Sequence, residues 1–318
     1  MNLNFAAELA ELVDALDSDS SVCLKHSGSS PEFRTIKQPK YYFEPCYSSI
    51  ASMDIILTSI KNPLIKQVRK LHRPKERLKQ NRLLIEGTNL IEAACQADYK
   101  LDIIFYTPRW RENHQLLGQT IEEKFKTQPV SSEVLNAIAT TINPDGVVAI
   151  APRSTLSNQD LISGLGIALE RLQDPGNLGT IIRTTAATEA DGLWLSGDSV
   201  DYYSPKVLRA TAGQWFKVPV TIDQNLLELA TYQQQQGVQL IAASSHSDKA
   251  YWDIDFTRPS LVLLGNEGAG LSPELLDLAD ERIMIPVANQ VESLNVSVAA
   301  ALLLYEAKRQ QGILSSQI

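Results

Sequence analysis

Three short stretches in the second half of the chain combine polar side chains with permissive backbone. Residues 170–189, ERLQDPGNLGTIIRTTAATE, pass through Asp174-Pro175-Gly176-Asn177 into an apolar helical pattern that carries Gly179 and Arg183. Residues 261–273, LVLLGNEGAGLSP, place three glycines within six positions after an apolar run, and Glu267 is the only ionisable group of that loop. Residues 283–309, IMIPVANQVESLNVSVAAALLLYEAKR, stop at Pro286, cross a polar loop and reach Ser293-Leu294-Asn295 before an alanine-rich helical pattern. Glycine lets main chain approach a ligand closely. An amide, a guanidinium, a carboxylate and a hydroxyl around such a turn can orient a polar molecule. The glycine loop is not a dinucleotide fingerprint, because the GxGxxG order is absent and the loop follows a late strand. Each stretch also has a plain structural use: DPGN as a turn, Ser272-Pro273 as a helix start, and Ser293 as a helix cap.

The elements that must position these groups are legible in the hydrophobic pattern. From residue 166 the sequence predicts strand GIALERL, helix 178–190, strand GLWLSG, helix 204–212, strand KVPVT and helix 224–236. Strands VQLIAAS and SLVLLG, helix 273–279, strand RIMIP and a last helix over 293–309 follow. Such alternation indicates a mostly parallel sheet covered on both faces. Ligands of these sheets sit beyond the carboxyl ends of the strands, which is where all three stretches fall. Residues 82–150 alternate LLIE, DIIFYT and GVVAIA with helical NLIEAACQ and SEVLNAIA, a smaller α/β unit. The polar segment 153–165 reads as a linker. The expected division is 1–54 as a loosely ordered extension, 55–152, the linker, and 166–318. Because Met53 directly precedes the first strongly patterned segment, a natural start there is a second expectation.

Composition narrows the class. The 318 residues are 44% hydrophobic and 21% charged, which excludes a disordered tail or a coiled coil. No apolar run is long enough to span a bilayer, and the first residues lack a secretory pattern, so the expected location is cytoplasmic. Cys23, Cys46 and Cys95 share no metal-ligand spacing, and neither do His26, His72, His114 and His246; no metal is expected. Trp194 and Trp215 lie in apolar segments and read as core. The net charge of −8 conceals a basic stretch: residues 55–86 hold nine Lys and Arg against two Glu, a surplus of seven. There Ile60, Leu64, Ile65, Val68 and Leu71 recur at helical spacing. The basic residues between and beyond them, Lys61, Lys66, Arg69, Lys70, Arg73 and Arg77, form an electrostatic footprint for nucleic acid or a solvated helix face.

The three stretches, in this order and spacing, resemble the SpoU (TrmH) family of S-adenosylmethionine-dependent RNA 2′-O-ribose methyltransferases of the SPOUT superfamily. The likeness covers residues 166–310, and residues 82–150 are similar to the family's ribosomal-protein-like RNA-binding domain. The resemblance implies a C-terminal trefoil knot formed around residues 265–310, a topology that periodicity does not reveal. It implies a homodimer with the active site at the subunit interface, and a cofactor held near Gly265, Ile285 and Leu294. It also implies a catalytic set of Asn177, Arg183, Glu267, Ser293 and Asn295. Arginine is a poor base, so Arg183 is expected to hold a phosphate or a developing alkoxide. Arg209, in SPKVLRATAGQWFKVPV, matches a further family segment and reads as an RNA-phosphate contact or as helix packing. Val287 and Asn289 stand where the family commonly has Met and Gly, and Thr211 where Ser is frequent. The substrate expected is ribosomal RNA, with transfer RNA or a catalytically silent RNA-binding assembly factor as alternatives. A nicotinamide oxidoreductase is disfavoured by the missing glycine fingerprint and the missing acidic ribose partner.

Overall fold

The computed structural model describes residues 55–153, 162–223, 225–245, 247–288 and 293–312. The extension 1–54, most of the polar linker and His246 lie outside the described residues. Two sheets organise the rest. The first contains β1 (Arg82–Glu86), β2 (Ile103–Tyr106), β3 (Thr127–Pro129) and β4 (Val147–Pro152) in the order β1-β4-β2-β3. The pairs β1/β4 and β4/β2 are antiparallel and β2/β3 is parallel. The second contains β5 (Leu165–Leu169), β6 (Gly192–Ser196), β7 (Val220–Asp223), β8 (Gln239–Ala243), β9 (Ser260–Leu264) and β10 (Glu281–Ile283). Its order is β10-β8-β9-β5-β6-β7, and every pairing is parallel. The predicted parallel sheet is therefore present, with strand bounds close to those read from the pattern. β3 went unread because three residues, TQP, carry no period.

The basic segment is two short helices, not one. Asn62 caps α1 (Pro63–Lys70) by accepting from the Leu64 amide at 2.8 Å. Pro74 starts α2 (Pro74–Gln80), because proline cannot continue the preceding helix. Leu64, Ile65, Val68 and Leu71 are buried against Val134, Leu135 and Ile138 of the helix at Ser132–Ile138. Lys61, Lys66, Arg69, Lys70 and Arg73 are exposed, as a nucleic-acid footprint requires.

Arg77 corrects that expectation. It is 2% exposed, its Nη2 lies 2.5 Å from Asp201, and its Nη1 donates to the Leu71 and His72 carbonyls at 2.7 and 3.0 Å. A guanidinium so committed and buried is not offered to RNA. Arg209 is also engaged, and of its two readings packing prevails. Nη1 donates to the buried Glu86 at 2.7 Å and to Thr140 at 2.9 Å, joining the helix Pro205–Ala210 of the large sheet to β1 of the small one. Apolar packing runs the same way, since one core cluster extends from Leu83 and Ile85 to Leu303 and Leu304. Trp194 and Trp215 belong to the core, 1% and 3% exposed, with Trp215 stacked on Tyr202 and edge-on to Tyr99.

The helix that leaves β5, Pro175–Ala187, packs against Pro205–Ala210 without a side chain between them. A β-carbon at Gly179 would stand 2.3 Å from the Ala210 methyl. Gly179→Ala should therefore lower unfolding free energy by about 1–3 kcal/mol through overpacking, even after the ~1 kcal/mol gained in helix propensity. Adding Ala210→Gly should recover only part of the loss in urea titration, because the residue-210 backbone carbons would still stand 2.8 and 3.0 Å from the new methyl; full stability of the single variant would refute the packing account.

Candidate active site

All three polar turns sit at the carboxyl ends of parallel strands. After β5, Arg171 adopts φ +54° and turns the chain. Asp174 then accepts from the Asn177 amide at 2.8 Å, and Pro175 follows it as the first helical residue. That cap puts Asn177 in the first turn, over the sheet end. After β9 the chain reverses at once: Asn266 and Gly270 pair through two backbone hydrogen bonds of 3.1 and 2.9 Å. The Asn266 side chain accepts from the amides of Gly268 and Ala269 and donates to the Arg171 carbonyl at 2.9 Å. Gly265 has to be glycine here, since a β-carbon would fall 2.1 Å from the Gly270 carbonyl carbon. Glu267 is carried at the tip of this closed loop.

The last helix, Val296–Gln310, starts three residues later than predicted, and its cap is Asn295 rather than Ser293. Asn295 Oδ1 accepts from the Ser297 amide at 2.9 Å and from the Ser297 hydroxyl at 2.6 Å. Its oxygen is thereby committed, and Nδ2 donates to Asn177 Oδ1 at 3.0 Å. Asn177 Nδ2 donates in turn to Glu267 Oε1 at 3.1 Å. One line of hydrogen bonds thus joins residues 90 and 118 positions apart in sequence. The three residues border an open cleft of about 640 Å³ together with Gln173 and Asp174. Among the described residues, two carboxylates and no cation line it, an environment that favours a positively charged ligand.

Of the predicted set, Asn177, Glu267 and Asn295 come together within one chain. Ser293 is exposed with no hydrogen-bond partner among the described residues, and Leu294 is 36% exposed beside it. Gly265 and Ile285 are half-buried at their strand ends. Arg183 does not line the cleft. Six residues beyond Asn177 on the same helix, it stands ~9 Å further along the axis and ~120° around it. It is exposed, and its guanidinium has no partner among the described residues. Sequence reasoning missed Asn266, the residue that shapes the loop. Asparagine immediately before a Gly-containing turn was the available signal, since its side chain can bond the backbone two residues on.

Comparison with known proteins identifies the family. The SpoU rRNA Methylase family model matches residues 164–305, and the MRM3-like substrate binding domain model matches residues 62–149. The chain is 45% identical over 269 residues to an uncharacterized tRNA/rRNA methyltransferase of Synechocystis sp., covering 84% of this chain and 97% of that protein. It is 31% identical over 254 residues to the 23S rRNA (guanosine(2553)-2′-O)-methyltransferase RlmP of Bacillus subtilis, covering 79% and 98%. The AdoMet-bound rRNA methyltransferase from Sinorhizobium meliloti superposes with a TM-score of 0.72 at 32% identity, over 80% of this chain and 97% of that one. Fold, site and likeness define an S-adenosylmethionine-dependent RNA 2′-O-methyltransferase. The chain belongs to the SpoU rRNA methylase family.

The residues present suit this cofactor. The acidic cleft complements a sulfonium cation. If the Asn177 amide holds the site together, Asn177→Asp should be severe. It sets a carboxylate where a donor faced Glu267, and displacement of the loop should cut kcat/KM for RNA on the order of 10²-fold. A steady-state assay returning wild-type kcat/KM would remove Asn177 from the site.

Proposed function

We propose that this protein methylates one ribose 2′-hydroxyl of large-subunit ribosomal RNA, in the cytoplasm and as a homodimer. The single observation carrying this reading is the Glu267–Asn177–Asn295 line at the ends of parallel strands. Ribosomal rather than transfer RNA is favoured by the second domain. The substrate-binding family model covers residues 62–149, and the exposed basic face of α1 belongs to that part of the chain.

In the proposed mechanism, Gly265, Ile285 and Leu294 hold the cofactor beside the Asn177 line. When bound, S-adenosylmethionine supplies a methyl group on a sulfonium, already activated for transfer. The chain must then bring a ribose oxygen into line with it, and orientation of this kind supplies much of the rate. Glu267, fixed by Asn177, accepts a hydrogen bond from the ribose hydroxyl and aligns it, and the proton released as the oxygen takes the methyl group passes to solvent through the open cleft. Ser293, exposed and unpaired beside Asn295, serves as a further donor to substrate. Arg183 neutralises the neighbouring phosphate or the developing alkoxide, the negative charge that the acidic cleft itself cannot stabilise.

Because Arg183 points away from the cleft of its own chain, we assign its action to the cleft of a partner copy. An apolar stripe supports the pairing. Val298 and Tyr305, 47% and 45% exposed, stand seven residues apart on one face of the last helix. The knot around residues 265–310 belongs to the same reading, since it would hold the glycine loop and the final helix in one site.

Mapping ribose methylation across total RNA in cells with and without the gene tests the assignment. A mark lost from large-subunit ribosomal RNA is expected; a mark lost only from transfer RNA would move the substrate, and no lost mark would overturn the activity. For Arg183, the lysine variant should lose about tenfold or more of kcat at neutral pH, because an ammonium cannot reproduce a bidentate contact. An unchanged rate would sink the guanidinium's role.

A further inference from the structure

The small sheet carries a second cleft, of about 320 Å³, between the turn after β2, the start of the helix Ser132–Ile138 and the loop entering β4. That volume lies in the ~300–1,000 Å³ range of small-molecule sites, and the cleft shares no residue with the Asn177 line. Its floor is rigid. Trp110 is 1% exposed and donates from Nε1 to Thr88 Oγ1 at 2.8 Å, and the Thr88 hydroxyl donates to Asp145 at 2.8 Å. Gly146, at φ +113°, brings the incoming loop onto that floor, where a β-carbon would meet Trp110 at 2.7 Å. The rim is different. Asn113, Asn136 and Arg109 are exposed, and none has a hydrogen-bond or ion-pair partner among the described residues.

Two amides that both donate and accept, on a walled cleft with a free guanidinium at its edge, match the hydrogen-bonding edge and the flat face of an unpaired nucleobase. We propose that this cleft binds an unstacked base of the substrate RNA, at a position other than the methylated nucleotide. Its placement makes it a ruler. The loop that forms it is tied to the large sheet, because Glu86 accepts from the Thr140 amide at 2.8 Å while also holding Arg209. Arg77 and Asp201 join the same two parts of the chain. The distance from the base cleft to the Asn177 cleft is therefore fixed, and it selects which ribose reaches the methyl donor. This inference rests on the RNA methyltransferase reading above.

The test is filter binding of the full chain to an in-vitro-transcribed large-subunit ribosomal RNA, without cofactor, over a range of salt. Asn113→Ala/Asn136→Ala should weaken binding about tenfold or more, the scale of a lost base contact. The slope of log K against log salt should stay at the wild-type value, because no phosphate contact is removed. Asn136→Asp, which replaces the donor by an acceptor of the same shape, should show its own loss with an unchanged melting temperature. By contrast, Lys66→Ala/Lys70→Ala should reduce the slope. Wild-type affinity in the double asparagine variant, or a loss that appears only as a shallower slope, would overturn the base-binding assignment. Since binding is read without methyl transfer, a protein that shows the asparagine effect but never methylates RNA would sink the activity and leave the cleft. One that methylates RNA with indifferent asparagines would do the reverse.

Discussion

The site depends on the orientation of one amide. Asn177 must present its nitrogen to Glu267 and its oxygen to Asn295, and each neighbour leaves it no alternative. Asn295 has spent its oxygen on Ser297 and can only donate, while a carboxylate can only accept. Two segments 90 and 118 residues beyond Asn177 are thus aligned with it by hydrogen-bond polarity. The backbone devices beneath it serve the same end. Asp174 sets the helix start, Asn266 closes the glycine loop, and Gly265 permits Gly270 to fold back to within van der Waals distance.

Charge is divided between the two parts of the chain. The cleft at the sheet end is bordered by Asp174 and Glu267, whereas a cluster of exposed cations, Lys61, Lys66, Arg69, Lys70 and Arg73, lies on and beside the helices before β1. An acidic cleft suits a sulfonium and repels a phosphate backbone, so affinity for a polyanion has to come from elsewhere. The buried ion pairs Arg77–Asp201 and Arg209–Glu86 join those two territories. Each is costly to bury and worth little as net stability, but each specifies one relative orientation of the sheets. In the division of labour proposed above, with RNA gripped in one place and modified in another, orientation is the useful quantity.

How much of this was legible in the sequence follows from which signals are local. The parallel sheet was, because buried strands such as LVLLG and GLWLS declare themselves as short apolar runs. Asn177, Glu267 and Asn295 were identifiable through the resemblance of their three motifs, although nothing local says that the three side chains bond to one another. Arg77 and Arg209 misled because a basic residue in a basic or family-like segment looks solvent-facing. Their partners, Asp201 and Glu86, lie 124 and 123 positions away, beyond any periodic pattern. The late start of the final helix has a similar origin. Ser293 and Asn295 are both good caps, and the choice between them was made by Ser297, which offers Asn295 two donors at once.

Arg183 is the group whose position says most about assembly. A guanidinium on a helix surface ordinarily finds a carboxylate or carbonyl, yet this one stands exposed and without a partner among the described residues, on the helix that also delivers Asn177. Within one chain it does not line the Asn177 cleft, standing ~9 Å further along the helix axis and ~120° around it. The last helix, packed against that same helix, exposes an apolar stripe, Val298 and Tyr305. A contact that covered the stripe would bring a second copy close to both the cleft and Arg183. The acidic cleft would then gain from its neighbour the positive charge that its own chain withholds. On this reading the monomer is chemically incomplete, and pairing supplies the missing cation as well as burying an apolar face.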